Sequence, residues 1–280
     1  MRSNTLTHAQ IESIRALVYK YTGITLGAHK DVMIKNRMDK LARSIGLTSD
    51  VILSRVAKGE LVTNFISAYT TNKTDFFREL FHFEDLKDRV LPSFFESNRT
   101  PKIYSSASST GEEPYSIAIT CLIAQEKYII PNARFDILAT DIDEDVIARA
   151  KEAVYAHEAH THTFPSWVHP AKYFKRREVE GAKGFLIKPK EEVLKMVKFA
   201  TQNLMDSVYP FSLGQFDVVF CRNVLIYFSQ SDQKMILKKL FGVLKVGGTL
   251  YLGHSESPLD LAPFVTRIGQ NIFVKNQDMS

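Results

Sequence analysis

The stretch that most constrains the fold is residues 103–116, IYSSASSTGEEPYS, which has the pattern of a strand, a tight turn and a helix start. Ile103 and Tyr104 suit a buried strand, and the small residues and Gly111 after them allow the backbone to approach a ligand closely. Pro114 is tolerated in a first helical turn, because the N–H group there has no partner within the helix. A turn that leaves the carboxyl end of a strand in an α/β sheet is where nucleotide-like ligands bind.

Two further segments place polar groups at the ends of apolar strands. Residues 135–143, FDILATDID, end in carboxylates. We expect Asp141 to accept hydrogen bonds from the hydroxyls of a ribose and Asp143 to cap the next helix. Residues 216–228, FDVVFCRNVLIYF, run from a buried strand directly into Arg, Asn and Tyr. Together with the first turn, these segments predict a binding site at the carboxyl edge of a sheet.

The remainder of the second part of the chain alternates strands with helices, which is the signature of a doubly wound parallel sheet. We predict strands near residues 102–105, 135–140, 197–200, 216–221, 247–253 and 271–275, and helices near 114–127, 143–151 and 231–244. A segment at about 172–198 interrupts this alternation and predicts a small β insertion. The sequence therefore predicts an α/β domain over residues 76–280 with an inserted β subdomain.

Residues 1–75 are predicted to form a separate helical domain. Thr7 and Gln10 have the spacing of a capping box, and the apolar face of the helix that follows ends before Gly23. A second amphipathic helix ends before Gly46. Glycine is typical of the left-handed position that follows a helix.

The net charge of +5 conceals an uneven distribution. Residues 1–80 carry 12 Lys and Arg against 7 Asp and Glu, and residues 172–198 carry 9 against 4. Residues 81–171 between them carry 8 against 14. One predicted helix also presents a basic face of Arg37, Lys40 and Arg43. The basic segments fit either solvated surfaces or a surface that docks an acidic protein.

Several motifs, in order along the chain, closely resemble those of the CheR-type methyltransferases, which methylate chemotaxis receptors. The family patterns are T-N-E-T-x-F-F-R-E, S-A-A-C-S-T-G-E-E-P-Y-S, A-T-D-I-D, F-C-R-N-V-x-I-Y-F, L-x-P-G-G and G-H-S-E. This chain has TNKTDFFRE at 71–79, SSASSTGEEPYS at 105–116, ATDID at 139–143, FCRNVLIYF at 220–228, LKVGG at 244–248 and GHSE at 253–256. It departs from the family at Lys73, Ser106, Ser108 and Val246. The resemblance extends from about Thr7 to Phe273.

The resemblance implies an S-adenosylmethionine-dependent enzyme that methylates glutamate side chains of bacterial chemoreceptors, with S-adenosylhomocysteine as product and no metal. It implies that Arg78 and Arg222 hold the acceptor and the cofactor carboxylate, and that Tyr227 lies near the transferred methyl group. Glu113 would face the ammonium group of the cofactor, and Asn203 with Leu204 would meet its adenine. The full set of implied cofactor contacts is Asn72, Thr74, Arg78, Glu113, Asp141, Asn203, Leu204, Cys221 and Arg222.

The implied partners are the cytoplasmic helical domains of chemoreceptors, which the N-terminal domain would contact. A receptor C-terminal tail peptide is a further possible partner for the basic insertion, with Phe185–Ile187 as an edge strand and Gly181 and Gly184 in its turn. The N-terminus lacks the apolar core of a signal peptide, and no run of about eighteen apolar residues predicts a membrane span. We therefore expect a cytoplasmic monomer with reduced cysteines.

The implied reaction requires little acid–base chemistry. A glutamate side chain, with an ordinary pKa of about 4.3, is already ionised at neutral pH and needs no general base. The enzyme has to position the acceptor oxygen in line with the methyl group, in a site from which water is excluded.

Two other functions remain open from the sequence. A nucleic-acid methyltransferase has a similar sheet and basic surfaces, but its Asn/Asp-Pro-Pro-aromatic turn is replaced here by residues 221–224, CRNV. A non-catalytic module that senses S-adenosylmethionine is the second, although Arg78, Arg222 and Tyr227 are all present. The histidines at 157, 160, 162 and 169 lack the spacing of a metal site. His254 lacks the surroundings of a catalytic triad and is expected at the rim of the site.

Overall fold

The computed structural model describes residues 6–158, 163–179 and 184–279. Its N-terminal part consists of the helices α1 (His8–Thr22), α2 (Asp31–Ile45), α3 (Ser49–Ala57) and α4 (Val62–Tyr69). The predicted capping box is confirmed, because the side chains of Thr7 and Gln10 each accept a hydrogen bond from the backbone N–H of the other. Gly23 and Gly46 adopt the left-handed conformation after α1 and α2, with φ of 75° and 71°.

The four helices enclose a core of their own. Ile14, Ile34, Met38 and Phe65 have no exposed surface. The prediction for the basic face of α2 is wrong at Arg37. Its guanidinium is half-buried and donates to the backbone carbonyls of Ala68 and Thr70 and to the hydroxyl of Thr71. Arg37 therefore ties α2 to the end of α4, which leaves only Lys40 and Arg43 exposed on that face.

The second part of the chain is built around a seven-stranded sheet. A helical connection of α5 (Phe81–Asp85), a π-helical turn (Leu86–Val90) and α6 (Leu91–Glu96) leads into it. The elements that follow are β1 (Lys102–Ser106), α7 (Glu112–Lys127), β2 (Asp136–Asp141), α8 (Glu144–Glu152), β3 (Tyr155–His157), α9 (Pro170–Tyr173), β4 (Phe174–Glu178), β5 (Phe185–Pro189), α10 (Glu191–Leu194), β6 (Val197–Thr201), β7 (Phe216–Cys221), α11 (Gln230–Val243), β8 (Leu244–Leu252), β9 (Val265–Gly269) and β10 (Ile272–Lys275).

The strand order of the main sheet is β6-β2-β1-β7-β8-β10-β9. The first five strands in this order are parallel, as predicted, whereas β10 runs antiparallel to both β8 and β9. The sheet is thus mixed, and β9, whose residues are mostly exposed, was not predicted. The chain runs from β1 through β2 to β6 on one side of β1, and then crosses over to β7 on the other side. This reversal is the topological switch point where α/β sheets bind ligands.

The turn after β1 differs from the prediction in the role of its glycine. Gly111 precedes α7 with φ of 99°, and a Cβ atom there would lie 3.0 Å from both the Cβ of Ala150 and the hydroxyl of Tyr155. Gly111 is therefore required by its backbone conformation and by packing against α8 and β3. The residues of this turn that border the adjacent cleft are Ala107 and Ser109.

The insertion forms a separate three-stranded antiparallel sheet in the order β3-β5-β4. The predicted range 172–198 contains two of these strands, while β3 precedes it. The proposal that Phe185–Ile187 is an edge strand is wrong, because β5 pairs with β3 on one side and β4 on the other. Gly181 lies outside the described residues. Gly184 is next to β5, where a Cβ atom would lie 2.6 Å from the carbonyl oxygen of His157.

The sequence predicts reduced cysteines and no membrane-spanning helix. Cys121 and Cys221 are free and fully buried. None of the helices in the described ranges combines the length and the apolar character that a bilayer span needs.

Candidate functional site

A cleft of about 880 Å³ opens at the carboxyl ends of β1, β2, β6 and β7. The predicted site segments meet here, although they are far apart in the sequence. The opposite wall comes from the helical domain, through Thr22 and Ile24 after α1 and through residues 70–75 after α4. The cleft therefore lies between the two parts of the chain.

The structure brings nearly all of the predicted site residues together around this cleft. Those that line it are Asn72, Thr74, Arg78, Glu113, Asp141, Asn203, Leu204, Arg222 and Tyr227. Cys221 does not line it. Its side chain is fully buried in the core beneath the cleft, and burial raises the pKa of its thiol.

Asp141, at the end of β2, has a buried carboxylate that holds the turn after β1. Oδ2 accepts a hydrogen bond from the backbone N–H of Ser109 at 2.8 Å, and Oδ1 accepts one from the N–H of Asp143 at 3.0 Å. Burial raises the pKa of Asp141 to about 6. Each carboxylate oxygen can accept more than one hydrogen bond, so Asp141 retains acceptor capacity toward the cleft.

Asp143 is the N-cap of α8, as predicted. Oδ1 accepts from the N–H of Asp145 at 3.0 Å. Oδ2 accepts from the hydroxyl of Thr70 at 2.8 Å and from the side-chain amide of Asn72 at 2.9 Å. This carboxylate therefore fixes the segment after α4 against the sheet domain, and it positions Asn72 at the cleft.

Arg222 and Glu113 form a buried ion pair on the floor of the cleft. Nη1 of Arg222 lies 2.8 Å from Oε2 of Glu113, and Oε1 of Glu113 accepts from the hydroxyl of Ser105 at 2.7 Å. A second carboxylate, that of Glu79, lies 3.3 Å from Nη2 of Arg222. Burial raises the pKa of Glu113, against the opposing effect of Arg222. Arg222 is thus enclosed by protein carboxylates.

Arg78 is placed differently from Arg222. Its guanidinium lines the cleft, is only partly buried and donates to the backbone carbonyl of Lys73 at 3.1 Å. The structure shows no ion pair between Arg78 and any carboxylate in the described ranges. Arg78 is therefore available to bind an anion in the cleft.

The loop after β7 is held by the carboxylate of Glu256, from the GHSE motif. Its two oxygens accept hydrogen bonds from four backbone N–H groups, those of Asn223, Val224, Leu225 and Gly253, at 2.6–3.0 Å. The same loop continues to Tyr227, whose ring lines the cleft. A single buried side chain thus fixes the segment that presents two of the three predicted catalytic residues, Arg222 and Tyr227.

The end of α1 is hydrogen-bonded to the sheet domain at the cleft. The side-chain amide of Asn203 donates to the carbonyl of Tyr21 at 3.0 Å, and the N–H of Thr25 donates to the carbonyl of Tyr227 at 2.9 Å. Both partners in the sheet domain are predicted site residues. The helical domain therefore contributes directly to the geometry of the cleft.

Sequence reasoning missed several residues of the lining, among them Thr22, Ile24, Ala107, Ser109, Ile142, Gln202, Val224 and Phe228. Three of these, Ile142, Gln202 and Phe228, are immediate neighbours of predicted residues, and Val224 lies two residues after Arg222, so proximity in the sequence was an available signal. Ala107 and Ser109 belong to a turn predicted to approach a ligand, without being singled out. Thr22 and Ile24 had no such signal, because nothing in the sequence shows which part of the helical domain faces the sheet.

Five non-glycine residues near the cleft adopt left-handed backbone conformations. They are Phe77, Glu79, Ala107, Ser109 and Asn223, with φ between 50° and 58°. This conformation costs roughly 1–2 kcal/mol for a residue with a Cβ atom, and such strain is characteristic of functional sites. The cluster therefore supports a functional assignment for this edge of the sheet.

The histidines do not form a metal site or a triad in the described residues. His254 is exposed, and its Nδ1 lies 2.8 Å from Oε1 of Glu79, which itself does not line the cleft. His157 stacks on Phe164 in the β subdomain. The residues at 160 and 162 lie outside the described ranges. Within those ranges no group of three or more potential metal ligands occurs.

Comparisons with known proteins agree with this picture. Residues 72–266 match the family described as "CheR methyltransferase, SAM binding domain". The chain is 37% identical over 278 residues to the chemotaxis protein methyltransferase of Escherichia coli K12, which covers 98% of this chain and 93% of that protein. It is 37% identical over 250 residues to a probable chemotaxis protein methyltransferase of Rhizobium etli, covering 86% and 89%. For the chemotaxis protein methyltransferase of Salmonella typhimurium the identity is 34% over 277 residues, covering 98% and 92%.

Proposed function

This chain belongs to the CheR family of methyltransferases, and from that premise we propose that it transfers a methyl group from S-adenosylmethionine to glutamate side chains of bacterial chemoreceptors. The observation that carries the proposal is the cleft at the switch point of the sheet, because it collects the predicted residues from four strand ends and the helical domain. The products are a glutamate methyl ester and S-adenosylhomocysteine.

The cleft offers chemical partners for each part of S-adenosylmethionine. The carboxylate of Glu113 suits the ammonium group, and the guanidinium of Arg78, unpaired in the described residues, suits a carboxylate. The buried carboxylate of Asp141 suits the two ribose hydroxyls. Leu204 supplies an apolar surface and Asn203 a hydrogen-bonding side chain for the adenine. The residues of the cleft thus fit the cofactor without the participation of a metal.

The chemistry that the cofactor supplies is an electrophilic methyl group on a positively charged sulfur. The residues of this chain position the acceptor, whose carboxylate is already ionised at neutral pH. The five N–H donors of Arg78 allow it to hold one oxygen of the acceptor as well as the carboxylate of the cofactor, and Tyr227 also lines the cleft. We expect the bound cofactor and acceptor to displace water from the cleft between the helical domain and the sheet, which favours a reaction in which opposite charges are neutralised.

The decisive experiment uses S-adenosylmethionine with a tritiated methyl group, the full chain, and membranes of a chemotactic bacterium. We expect label in the receptor band and release of volatile tritiated methanol in alkali, which identifies a carboxyl ester. Label that enters nucleic acid, or receptor label that is stable in alkali, would refute the proposal. A chain that binds S-adenosylhomocysteine but labels no macromolecule would indicate a sensing module instead.

The proposed partners are the cytoplasmic helical domains of chemoreceptors, and we therefore place the protein in the cytoplasm, as a monomer. Lys40 and Arg43, exposed on α2, are the residues of the predicted basic face that remain available to an acidic receptor surface. Charge complementarity of this kind mainly accelerates association. We expect receptor methylation at low receptor concentration to weaken as salt increases.

A receptor tail peptide is a second proposed partner, and we propose β4 as the strand that binds it. This strand is an edge of the small sheet, and its Lys175, Arg176 and Arg177 are exposed. The guanidinium of Arg176 lies 3.7 Å from the ring centre of Phe185 and pairs with Glu178. An extended acidic peptide can add to such an edge by backbone hydrogen bonds, and tethering raises the local concentration of receptor to about the millimolar range.

Calorimetric titration of acidic receptor-tail peptides at low and high salt tests this second proposal. Saturable binding at low salt that is lost in the Arg176→Glu/Arg177→Glu variant supports it. Arg55→Glu/Lys58→Glu is the matched control, because it reverses two exposed charges of the helical domain that lie outside the basic face of α2. If no tail peptide gives a heat of binding, the proposal that β4 binds a receptor tail is wrong.

A further inference from the structure

Arg222 is shared between two carboxylates, and only one of them faces the cleft. The Arg222 side chain is 1% exposed, with Glu113 on one side and Glu79 on the other. Glu113 and Arg222 line the cleft, whereas Glu79 does not. Two ionised carboxylates around one guanidinium leave one negative charge in excess, and this excess lies next to the proposed ammonium site.

Glu79 is fixed in place from the side away from Glu113. Oε1 accepts from the side-chain amide of Asn223 at 3.0 Å and from Nδ1 of His254 at 2.8 Å. Burial alone would raise its pKa, but these hydrogen bonds and the charge of Arg222 hold the pKa of Glu79 at about 2. Glu79 therefore remains ionised, and it does so with φ of 57°, in a strained backbone conformation.

We infer that Glu79 is a positioning residue that neutralises Arg222 and so leaves the charge of Glu113 available to the ammonium group of the cofactor. Without Glu79, Arg222 and Glu113 would form a closed neutral pair with little attraction for a cation. Glu79 would also cease to hold the guanidinium on the side away from Glu113. This inference rests on the proposed function, because it takes Glu113 as the ammonium partner.

The choice of ligands separates this role from a structural one. S-adenosylhomocysteine carries the α-ammonium and α-carboxylate groups. 5′-(3-Aminopropyl)thioadenosine keeps an ammonium group but lacks the carboxylate, and 5′-methylthioadenosine lacks both. All three share the adenosine and the thioether, so a general distortion of the cleft weakens the binding of all three ligands alike. A change in the charge available at Glu113 weakens the binding of only the two ligands that carry an ammonium group.

The experiment measures dissociation constants of these ligands by calorimetry for the full chain. Glu79→Gln removes the charge but keeps one acceptor oxygen. We expect it to weaken both amines about tenfold or more, as for the loss of one interaction with a charged group, and to change binding of methylthioadenosine less than about twofold. Glu79→Asp keeps the charge and should restore most of the affinity. Glu84→Gln, an exposed change on α5, is the matched control.

A further variant keeps the test valid if Glu79→Gln does not fold. His254→Ala removes an exposed partner of Glu79 and should give the same selective loss at about two- to threefold. Unchanged binding of the amines in folded Glu79→Gln, or an equal loss for all three ligands, would overturn the inference and leave the proposed function intact. If the wild-type chain binds 5′-(3-aminopropyl)thioadenosine no more tightly than 5′-methylthioadenosine, the assignment of Glu113 as the ammonium partner fails, and this inference fails with it.

Discussion

Arg78 and Arg222 carry the same charge and line the same cleft, but the structure gives them different roles. Arg222 is enclosed by Glu79 and Glu113, whereas the guanidinium of Arg78, among the described residues, donates only to the backbone carbonyl of Lys73. The sequence motifs identified both arginines but implied an equal share in holding anions. The difference arises from carboxylates distant in sequence from Arg222, so spacing along the chain could not reveal it. We now expect the incoming anionic groups to pair with Arg78.

Asp141 provides the first prediction at the scale of single residues. Asp141→Asn should weaken binding of S-adenosylhomocysteine by about 1.5–3 kcal/mol, the value of hydrogen bonds to a charged group. Asparagine keeps one of the two acceptor oxygens and leaves one backbone N–H without an acceptor, so we expect the fold to persist with a free energy of unfolding lower by about 1–3 kcal/mol. Asp217→Asn is a matched control, since Asp217 is equally buried but is the second residue of β7, at the opposite end of the sheet. Calorimetry in which both variants bind like the wild type would remove Asp141 from the cofactor site.

Tyr227 separates chemistry from binding. Tyr227→Phe should retain affinity for S-adenosylhomocysteine and lower kcat by between about tenfold and a hundredfold, because one hydroxyl near the reacting charges is lost. Tyr21→Phe removes a hydroxyl that bonds to the Val56 carbonyl within the helical domain and serves as the control. Single-turnover methyl transfer gives the rate, and calorimetry the affinity. Equal rates for Tyr227→Phe and the wild type would exclude the hydroxyl from the mechanism.

At the scale of elements, the sequence predicted the parallel strands well, including the edge strand β6, but missed β3 and β9. Strands such as β7, whose side chains are all buried, have a continuous apolar pattern that is legible in the sequence. The strands β3 and β9 are short or mostly exposed, and they exist because a neighbouring strand supplies hydrogen bonds. The direction of β10 depends likewise on pairing with β8. The strands β3 and β10 pair with β5 and β8, which are distant in the sequence, so the local pattern of apolar and polar residues cannot predict these pairings.

Glu256 allows a test of how one side chain holds a whole loop. Glu256→Gln replaces one carboxylate oxygen with an NH₂ group that faces backbone N–H donors. We expect this change to cost roughly 2–4 kcal/mol, since two buried donors lose their acceptor. The free energy of unfolding in urea should fall, and turnover should fall further than stability alone explains, because residues 222–228 form the floor of the cleft.

Ser255→Ala is the matched control for Glu256→Gln, because it changes an exposed neighbour in the same turn. It should leave both stability and turnover within about 0.5 kcal/mol of the wild type, as is usual for surface substitutions. A Glu256→Gln protein with the stability and activity of the wild type would show that the four hydrogen bonds are dispensable.

At the scale of the whole molecule, the helical domain is part of the cofactor cleft as well as a proposed receptor-docking module. The sequence predicted two domains but could not predict their interface, since the helical domain contributes mainly backbone groups and small side chains, whose partners in the sheet domain are distant in the sequence. Tyr21 and Thr25 contact the sheet domain through their main chains. The receptor docking proposed for α2 and the cofactor binding proposed for the cleft would thus involve the same helical core.

Gly23 tests whether the close fit of the two domains maintains the cleft. It has φ of 75°, and a Cβ atom there would lie 2.3 Å from Cγ of Met205 and 3.1 Å from the ring of Phe228, which lines the cleft. Gly46 occupies the same left-handed position after α2, with φ of 71°, but a Cβ atom there would meet nothing within 4 Å. Alanine at either position costs about 1–2 kcal/mol for the backbone conformation, and only at Gly23 does it also push the domains apart.

We therefore expect Gly46→Ala to lower the free energy of unfolding by about 1–2 kcal/mol and to bind S-adenosylhomocysteine like the wild type. Gly23→Ala should lose a further 1–3 kcal/mol or so from overpacking. Its affinity for S-adenosylhomocysteine should also fall, because displacement of Phe228 and of the end of α1 opens one wall of the cleft. Urea unfolding and calorimetry on both variants measure the two effects separately. If the variants were equally stable and bound the ligand equally well, the helical domain would have no part in shaping the cofactor site.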